Sequence, residues 1–236
     1  MAASLALVQP LPVRGAVWFL QQVAGFEACS DDALGALCAL FEVRRVRRGA
    51  VLWRMGDAAR EVMIVRSGVV WQHRAEGEAE LSLGYVGRGG VLGLRHGGIH
   101  RDVAVAHEDT TLLVVPRAAF DRWLASYPQG VDAVICALDG DRERTERRLA
   151  LICLHSARAR LAGLLLDLAD RFGVRDSEGV IVDLRLTHRE LAALIGATRE
   201  TVSVAIVELR DAGLVRTDAR RAVLLNVDAL REIATT

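Results

Sequence analysis

Residues 186–215 read LTHRELAALIGATRETVSVAIVELRDAGLV, and this stretch decides the C-terminal fold. Thr187, with Glu190 three residues on, forms a capping box that predicts a helix over His188–Ile195. Gly196 permits the positive φ of a tight turn, and Thr198 caps a second helix over Arg199–Asp211, closed by Gly213. Two short helices joined by a glycine-containing turn make a helix-turn-helix. Beyond it, Leu214–Thr217, Asp218–Arg221 and Ala222–Leu225 read as strand, basic turn and strand, the pattern of a wing.

Helical spacing then assigns faces. Val202, Ala205, Ile206 and Leu209 are expected to bury against the first helix, leaving Arg199, Glu200, Ser203, Val204, Val207 and Arg210 outward. Arginine suits guanine, glutamate accepts from cytosine and serine serves either, so the first turns of this helix are chemically matched to base edges. Thr187, Thr198 and Arg189, with Arg216, Arg220 and Arg221 of the wing, complete the candidate contacts to double-stranded DNA. The competing reading of the same pattern is a two-helix packing unit whose charged ends are merely solvated.

Upstream, Val131, Ile135, Leu138, Arg142, Thr145, Leu149 and Ile152 alternate at spacings of four and three residues, an a/d seam. A helix over Gln129–Leu154 would be ~39 Å long, more than a cover for a small β domain needs. A dimer helix paired with a second copy is the favoured reading, against a stripe packed only on its own chain. Arg142 and Thr145 interrupt the apolar seam, and either fix register or contact a ligand lodged between the paired helices. A further helix over Ala157–Arg171 presents Leu161, Leu164, Leu165 and Leu168 on one face; Gly173 stops it, and Val180–Val182 opens a second, smaller β element.

From Phe41 to Pro116 the texture is different: short β-branched runs punctuated by glycine, including Val51–Trp53, Val62–Val65, Gly68–Trp71, Leu81–Leu83, Val103–Val105 and Leu112–Val115. Such runs predict a closed or double-layered antiparallel β structure, with Glu76-Gly77-Glu78 at a hairpin tip. Before it come an N-terminal arm over about residues 1–16, a short helix around Val17–Ala24 and a helix over Asp31–Leu40 capped by Ser30.

Charge sharpens the question. The chain of 236 residues carries 30 arginines, no lysine and 30 acids, so net charge supplies no long-range attraction to an anionic polymer. Residues 155–236 balance as well, with 12 arginines and 12 acids. Nucleic-acid binding must therefore come from the placement of a few arginines. A hydrophobic fraction of 52% and a charged fraction of 25% are those of a globular protein. The start, MAASLALVQPLPVRG, has no basic lead and is broken by Pro10 and Pro12, and no window reaches the apolar length of a membrane span, so a cytoplasmic protein without a membrane partner is expected. Cys29, Cys38, Cys136 and Cys153 are too sparse for a disulfide scaffold and are expected mostly as small buried hydrophobes. The nucleophile-elbow, zinc-protease and P-loop motifs are all missing, so no enzyme is expected.

The helix-turn-helix stretch is similar to that of the Crp/Fnr family of bacterial transcription regulators, whose pattern runs L-T-x-x-E-L-A-x-x-(I/L)-G-x-(S/T)-R-E-T-V-S-R. Leu186, Thr187, Glu190, Leu191, Ala192, Ile195, Gly196 and Thr198 through Ser203 match it. Gly49, Gly56-Asp57, Gly68, Gly89 and Gly93 match the family's β-roll glycines. The resemblance implies an α+β chain of three parts: an arm and β-roll (double-stranded β-helix) sensor over 1–128, a dimerisation helix over 129–155 and a winged helix-turn-helix over 156–236. It further implies a homodimer on a palindromic DNA site, an activator or repressor with RNA polymerase as partner. The other-class alternative keeps the fold as a sensor or protein-interaction module that has lost specific DNA binding.

Two departures stand out. Val204 occupies the position where the family usually has an arginine. In the family's cyclic-nucleotide cassette a glutamate follows the glycine and an arginine precedes Ser or Thr; here Leu94 follows Gly93, and Arg101 precedes Asp102 in a shorter segment. Arg101, Arg95, His96, His100, Arg142 and Thr145 are the candidate effector contacts, and the departures argue against cyclic AMP. The cysteine spacing argues against an iron–sulfur cluster, and haem or a small-molecule effector remains open. The histidines on loops are expected to be solvated, with His96 and His100 close enough in sequence to share a metal.

Overall fold

The computed structural model describes residues 6–9, 13–76, 79–95 and 98–235. They cluster into two compact units, residues 1–79 with 83–142, and residues 80–82 with 143–236.

In chain order the first unit contains β1 (Ala6–Gln9), α1 (Val13–Leu20), α2 (Asp31–Cys38), β2 (Glu42–Val46), β3 (Val51–Trp53), β4 (Glu61–Ser67), β5 (Val70–Glu76), β6 (Ala79–Val86), β7 (Val91–Leu92), β8 (Val103–Ala106), β9 (Thr110–Pro116) and α3 (Arg117–Ser126). The long helix α4 (Gly130–Leu154) begins in this unit. The strands form two antiparallel sheets, ordered β1-β2-β9-β4-β7 and β3-β8-β5-β6. This is the α+β architecture with an antiparallel β-roll that the sequence predicts.

The apolar runs of β4 and β9 are unbroken because both faces are covered. Successive side chains of a strand point to opposite sides. Met63, Val65, Leu112 and Val114 pack with Trp53, Val70 and Ala104 between the sheets. Val62, Ile64, Leu113 and Val115 pack instead with Phe19, Leu34, Phe120 and Trp123 of the helices. Burying such a side chain fully contributes about 1.5–3 kcal/mol, so both layers are firmly held. Gly93 sits at φ 81°, and a side chain there would come 2.4 Å from the Glu61 carbonyl oxygen, so only glycine fits beside β4.

The N-terminal expectation needs correction. Residues 6–9 are not an arm but a strand, paired antiparallel to β2 with Gln9 opposite Val43. A run this short, bonded through its backbone, leaves no periodicity to read. The first helix spans Val13–Leu20 rather than Val17–Ala24, because burying Ala16, Phe19 and Leu20 in the helical layer fixes its register. Helix α2 starts as expected, with Ser30 Oγ accepting the Ala33 amide at 3.2 Å, and ends at Cys38. Gly77 and Glu78 of the hairpin tip lie outside the described residues.

The second unit holds the remainder of α4, α5 (Ala157–Phe172), β10 (Gly173–Arg175), β11 (Val180–Val182), α6 (His188–Ile195), α7 (Arg199–Asp211), β12 (Val215–Asp218), β13 (Arg221–Leu224) and α8 (Val227–Ala234). Its sheet runs β10-β11-β13-β12. Helix α5 buries Leu161, Leu164, Leu165 and Leu168, and packs against α6, α7 and α8. No described helix is long and apolar enough to cross a membrane.

Candidate nucleic-acid interface

Helix α6 is fixed at both ends. At its start Glu190 Oε2 accepts both the amide and the hydroxyl of Thr187, each at 2.7 Å, while the Glu190 amide donates to Thr187 Oγ1 at 3.2 Å. At its end Gly196 takes the left-handed conformation, φ 62° and ψ 46°. Arg148 Nε donates to the Leu194 carbonyl at 2.7 Å, and Arg160 Nη1 to that of Ile195 at 3.4 Å. Two guanidinium groups thus meet orphan carbonyls at the negative end of the helix dipole. Both hydrogens of Thr187 are given to Glu190, so this residue holds α6 in place.

Helix α7 is capped by Thr198, whose Oγ1 accepts the Thr201 amide at 3.1 Å. Its buried face is Val202, Ala205, Ile206 and Leu209, as the spacing predicts. Arg199, Glu200, Val204, Val207 and Arg210 are exposed. Ser203 is half-buried: its hydroxyl donates to the Arg199 carbonyl at 2.9 Å and stands 2.8 Å from His188 Nδ1. Ile152, a candidate for the dimer seam, is half-buried, 3.7 Å from where a side chain on Gly196 would be.

The structure divides the arginines. Arg210 pairs with Asp211 at 3.1 Å, Arg221 with Asp183 at 2.8 Å, and Arg216 with Glu178. Arg189, Arg199 and Arg220 are exposed and have no carboxylate partner among the described residues. Arg220 lies at the wing tip, where Asp218 faces Arg221 and the two turn residues, Ala219 (φ 44°) and Arg220 (φ 69°), are left-handed without being glycine. Such backbone costs about 1–3 kcal/mol per residue. The Arg220 carbonyl accepts the Leu186 amide at 3.1 Å, which ties the strained turn to the entry of α6.

In the first unit, Arg101 is exposed, and Arg95 Nη2 lies 3.6 Å from Asp102 Oδ1. Asp102 is only 1% exposed, and its Oδ2 accepts from Gln72 Nε2 at 2.9 Å. The loop position of His100 misled: the ring is buried and stacked on Trp53, centroids 4.2 Å apart. Burial pushes its pKa below the usual imidazole value; Asp102 and Asp57 oppose that shift and Arg95 adds to it. His96 lies outside the described residues, and among the described residues no cluster of three His, Cys, Asp or Glu is placed to hold a metal. Leu94 packs on the helix-side core, while Arg142, paired with Asp139 at 2.8 Å, and Thr145 are exposed on α4.

Cys29 and Cys38 are buried, and burial pushes the Cys38 thiol up to about 11. Cys136 and Cys153 are exposed, against expectation, because they share α4 with outward-facing Ile135, Leu138 and Leu149. Sequence reasoning missed Gln72, Trp53 and Arg148. Gln72 follows Val70-Trp71 but is continued by His73 and Arg74, so no apolar run marked it out.

Two family models match: the cyclic nucleotide-binding domain over residues 43–127 and the Crp-like helix-turn-helix domain over residues 159–233. The chain belongs to the Crp/Fnr family. This Crp/Fnr regulator is 29% identical to the "Cyclic AMP receptor protein" of Thermus thermophilus over 213 residues, covering 89% of this chain and 95% of the relative. It is 26% identical to the "CRP-like cAMP-activated global transcriptional regulator" of Mycobacterium tuberculosis over 209 residues, covering 87% and 93%. The structure of FixK2 from Bradyrhizobium japonicum has the same fold, with a TM-score of 0.75, 24% identity, and coverage of 82% of this chain and 96% of that one. The Crp/Fnr regulator is thus a transcription regulator with a helix-turn-helix DNA-binding domain, and its relatives are regulators rather than enzymes. Within the region that matches the cyclic nucleotide-binding domain, it carries a buried carboxylate, Asp102.

Proposed function

We propose that this regulator acts in the cytoplasm as a homodimer reading a palindromic pair of DNA half-sites, under control of an effector other than cyclic AMP. The observation that carries the DNA reading is the outward face of α7, where Arg199, Glu200 and Val204 stand exposed over a fully buried opposite face. Recognition helices enter successive major grooves about one turn apart. Phosphate contacts fall to Arg189, Arg199 and Arg220, the arginines without internal carboxylates. A dimer using these three per subunit would show a salt slope of about −5. Selection from a genomic fragment library, followed by affinity measured against salt, tests this. A palindromic consensus with that shallow slope is expected; no sequence-selective retention at any salt would favour a sensor module that has lost DNA binding.

The apolar stripe of α4 supports the dimer. Ile135 is 56% exposed and Leu149 60%, with Val131 and Leu138 also open to solvent in the single chain. Ile135→Glu is expected to yield monomers in sedimentation and to abolish palindrome binding together; a variant that stays dimeric would overturn the seam. RNA polymerase is the proposed partner on DNA.

Asp102 supports the effector reading. A buried carboxylate repels a cyclic phosphate in a medium where charge is weakly screened, and Leu94 offers no acceptor for a ribose hydroxyl. Cyclic AMP at millimolar concentration is expected to change neither thermal stability nor DNA affinity. A saturable effect of either kind would overturn this part.

A further inference from the structure

Beside α7 and the wing, wholly within the second unit, lies a cavity of about 570 Å³. That volume is within the range of small-molecule sites, about 300–1,000 Å³. Its lining has two characters. Leu165, Leu168 and Ile206 give it a buried apolar floor, while Arg189, Arg199, Arg220 and Arg221 supply four guanidinium groups. One donor there is unused: Arg221 Nε is buried and without a hydrogen-bond partner, although Nη2 of the same group reaches Asp183 at 2.8 Å. A buried donor left unpaired is costly, and an acceptor brought by a ligand would remove that cost. A DNA phosphate could use the arginines, but a phosphodiester has no apolar part to fill the floor.

We infer that this cavity binds a small amphipathic carboxylate, its head group on the Arg221 and Arg199 guanidinium groups and its alkyl chain against Leu165, Leu168 and Ile206. Because Arg199 and Arg220 line the cavity and also serve the proposed phosphate contacts, the carboxylate and DNA compete. That competition rests on the DNA reading above, whereas the binding itself does not. The ligand would then act directly on the reading head, in addition to any control from the β-roll.

The test is calorimetric titration of the full chain with sodium decanoate, sodium butyrate and decyltrimethylammonium, each below its micellar concentration. Decanoate is expected to saturate one site per chain, with butyrate at least about tenfold weaker because the lost methylenes no longer fill the floor. The cationic amphiphile is expected not to bind. Arg221→Gln should weaken decanoate about tenfold by removing a charge-assisted donor. Should that variant fail to fold, Ala222→Met, which fills space in the same lining, must weaken decanoate instead. Equal affinity for butyrate and decanoate, or no saturable decanoate binding at millimolar concentration, would overturn the proposal. In a parallel shift assay decanoate should release bound DNA. Decanoate binding by a protein that retains no DNA would uphold the cavity and sink the DNA reading.

Discussion

His188 Nδ1 and Ser203 Oγ stand 2.8 Å apart, and the single hydrogen of that hydroxyl is directed at the Arg199 carbonyl, 2.9 Å away. Serine has one proton to give, so the imidazole must be the donor. The neutral ring of His188 is therefore the Nδ1–H tautomer, an assignment drawn from the hydrogen-bond network. Nitrogen NMR of the neutral ring should show Nδ1 protonated and Nε2 bare. The same commitment leaves Ser203 only one acceptor lone pair for a base edge: Ser203→Ala should weaken DNA binding by about threefold or less, and Arg199→Ala by about tenfold or more. Equal losses in a shift assay at fixed salt would contradict this arrangement.

Val204 is exposed on α7 where the family usually has an arginine. Valine offers only apolar contact, such as to a thymine methyl, whereas arginine would seek guanine or phosphate. Val204→Arg should shift the preferred base at one position of each half-site and steepen the salt dependence. An unchanged consensus in a randomised-site selection would rule the contact out.

Ala219 holds φ 44° at the wing tip. Glycine there would relieve left-handed strain but gain freedom in the unfolded chain, for a net stabilisation of about 0.5–1 kcal/mol. Thermal denaturation of Ala219→Gly should show a higher melting temperature with DNA affinity retained, since Arg220 is untouched. A lower melting temperature would mean that the alanine makes contacts worth more than the strain.

His100 gives the first unit a pH-dependent stability. Burial depresses its native pKa, so above the usual imidazole value near 6.5 the ring is neutral in both states and its contribution is complete. As pH falls below that value the unfolded chain takes the proton first, and stability declines until pH passes the depressed native value. His100→Phe should keep the stack on Trp53 and flatten this decline in denaturant titrations between pH 7.5 and 5.5. A slope as steep as that of the parent protein would assign the dependence to other groups.

The second unit was largely legible because its signals are local. A capping box, a left-handed glycine and a threonine cap give α6 and α7 their ends to the residue. Strand β2 was not legible: in EVRRV only Val43 is buried, and two arginines mask the alternation. Helix α3 has Pro116 at its N-cap with no side-chain cap, and it is held by the burial of Phe120 and Trp123, which only tertiary packing reveals. At the interface, sequence placed Arg210, Arg216 and Arg221 among the usable arginines. Arg216 and Arg221 engage Glu178 and Asp183, which are distant in sequence, so the charge these two keep for DNA could not be read in advance, whereas Arg210 pairs with its chain neighbour Asp211. Asp102 and His100 became informative only when the structure placed them inside the β-roll unit.

Val62 and Met63 are chain neighbours in β4, yet they belong to different cores, one facing the helices and the other facing the space between the sheets. Strands β4 and β9 are therefore a party wall. Neither room can be repacked privately: a methyl group lost on one side is felt as a shift of the wall on the other. Hydrogen exchange should find these two strands the slowest in their unit. A ligand that swells the β-roll needs no separate relay to the helical layer, because the layer already leans on the strands that would move.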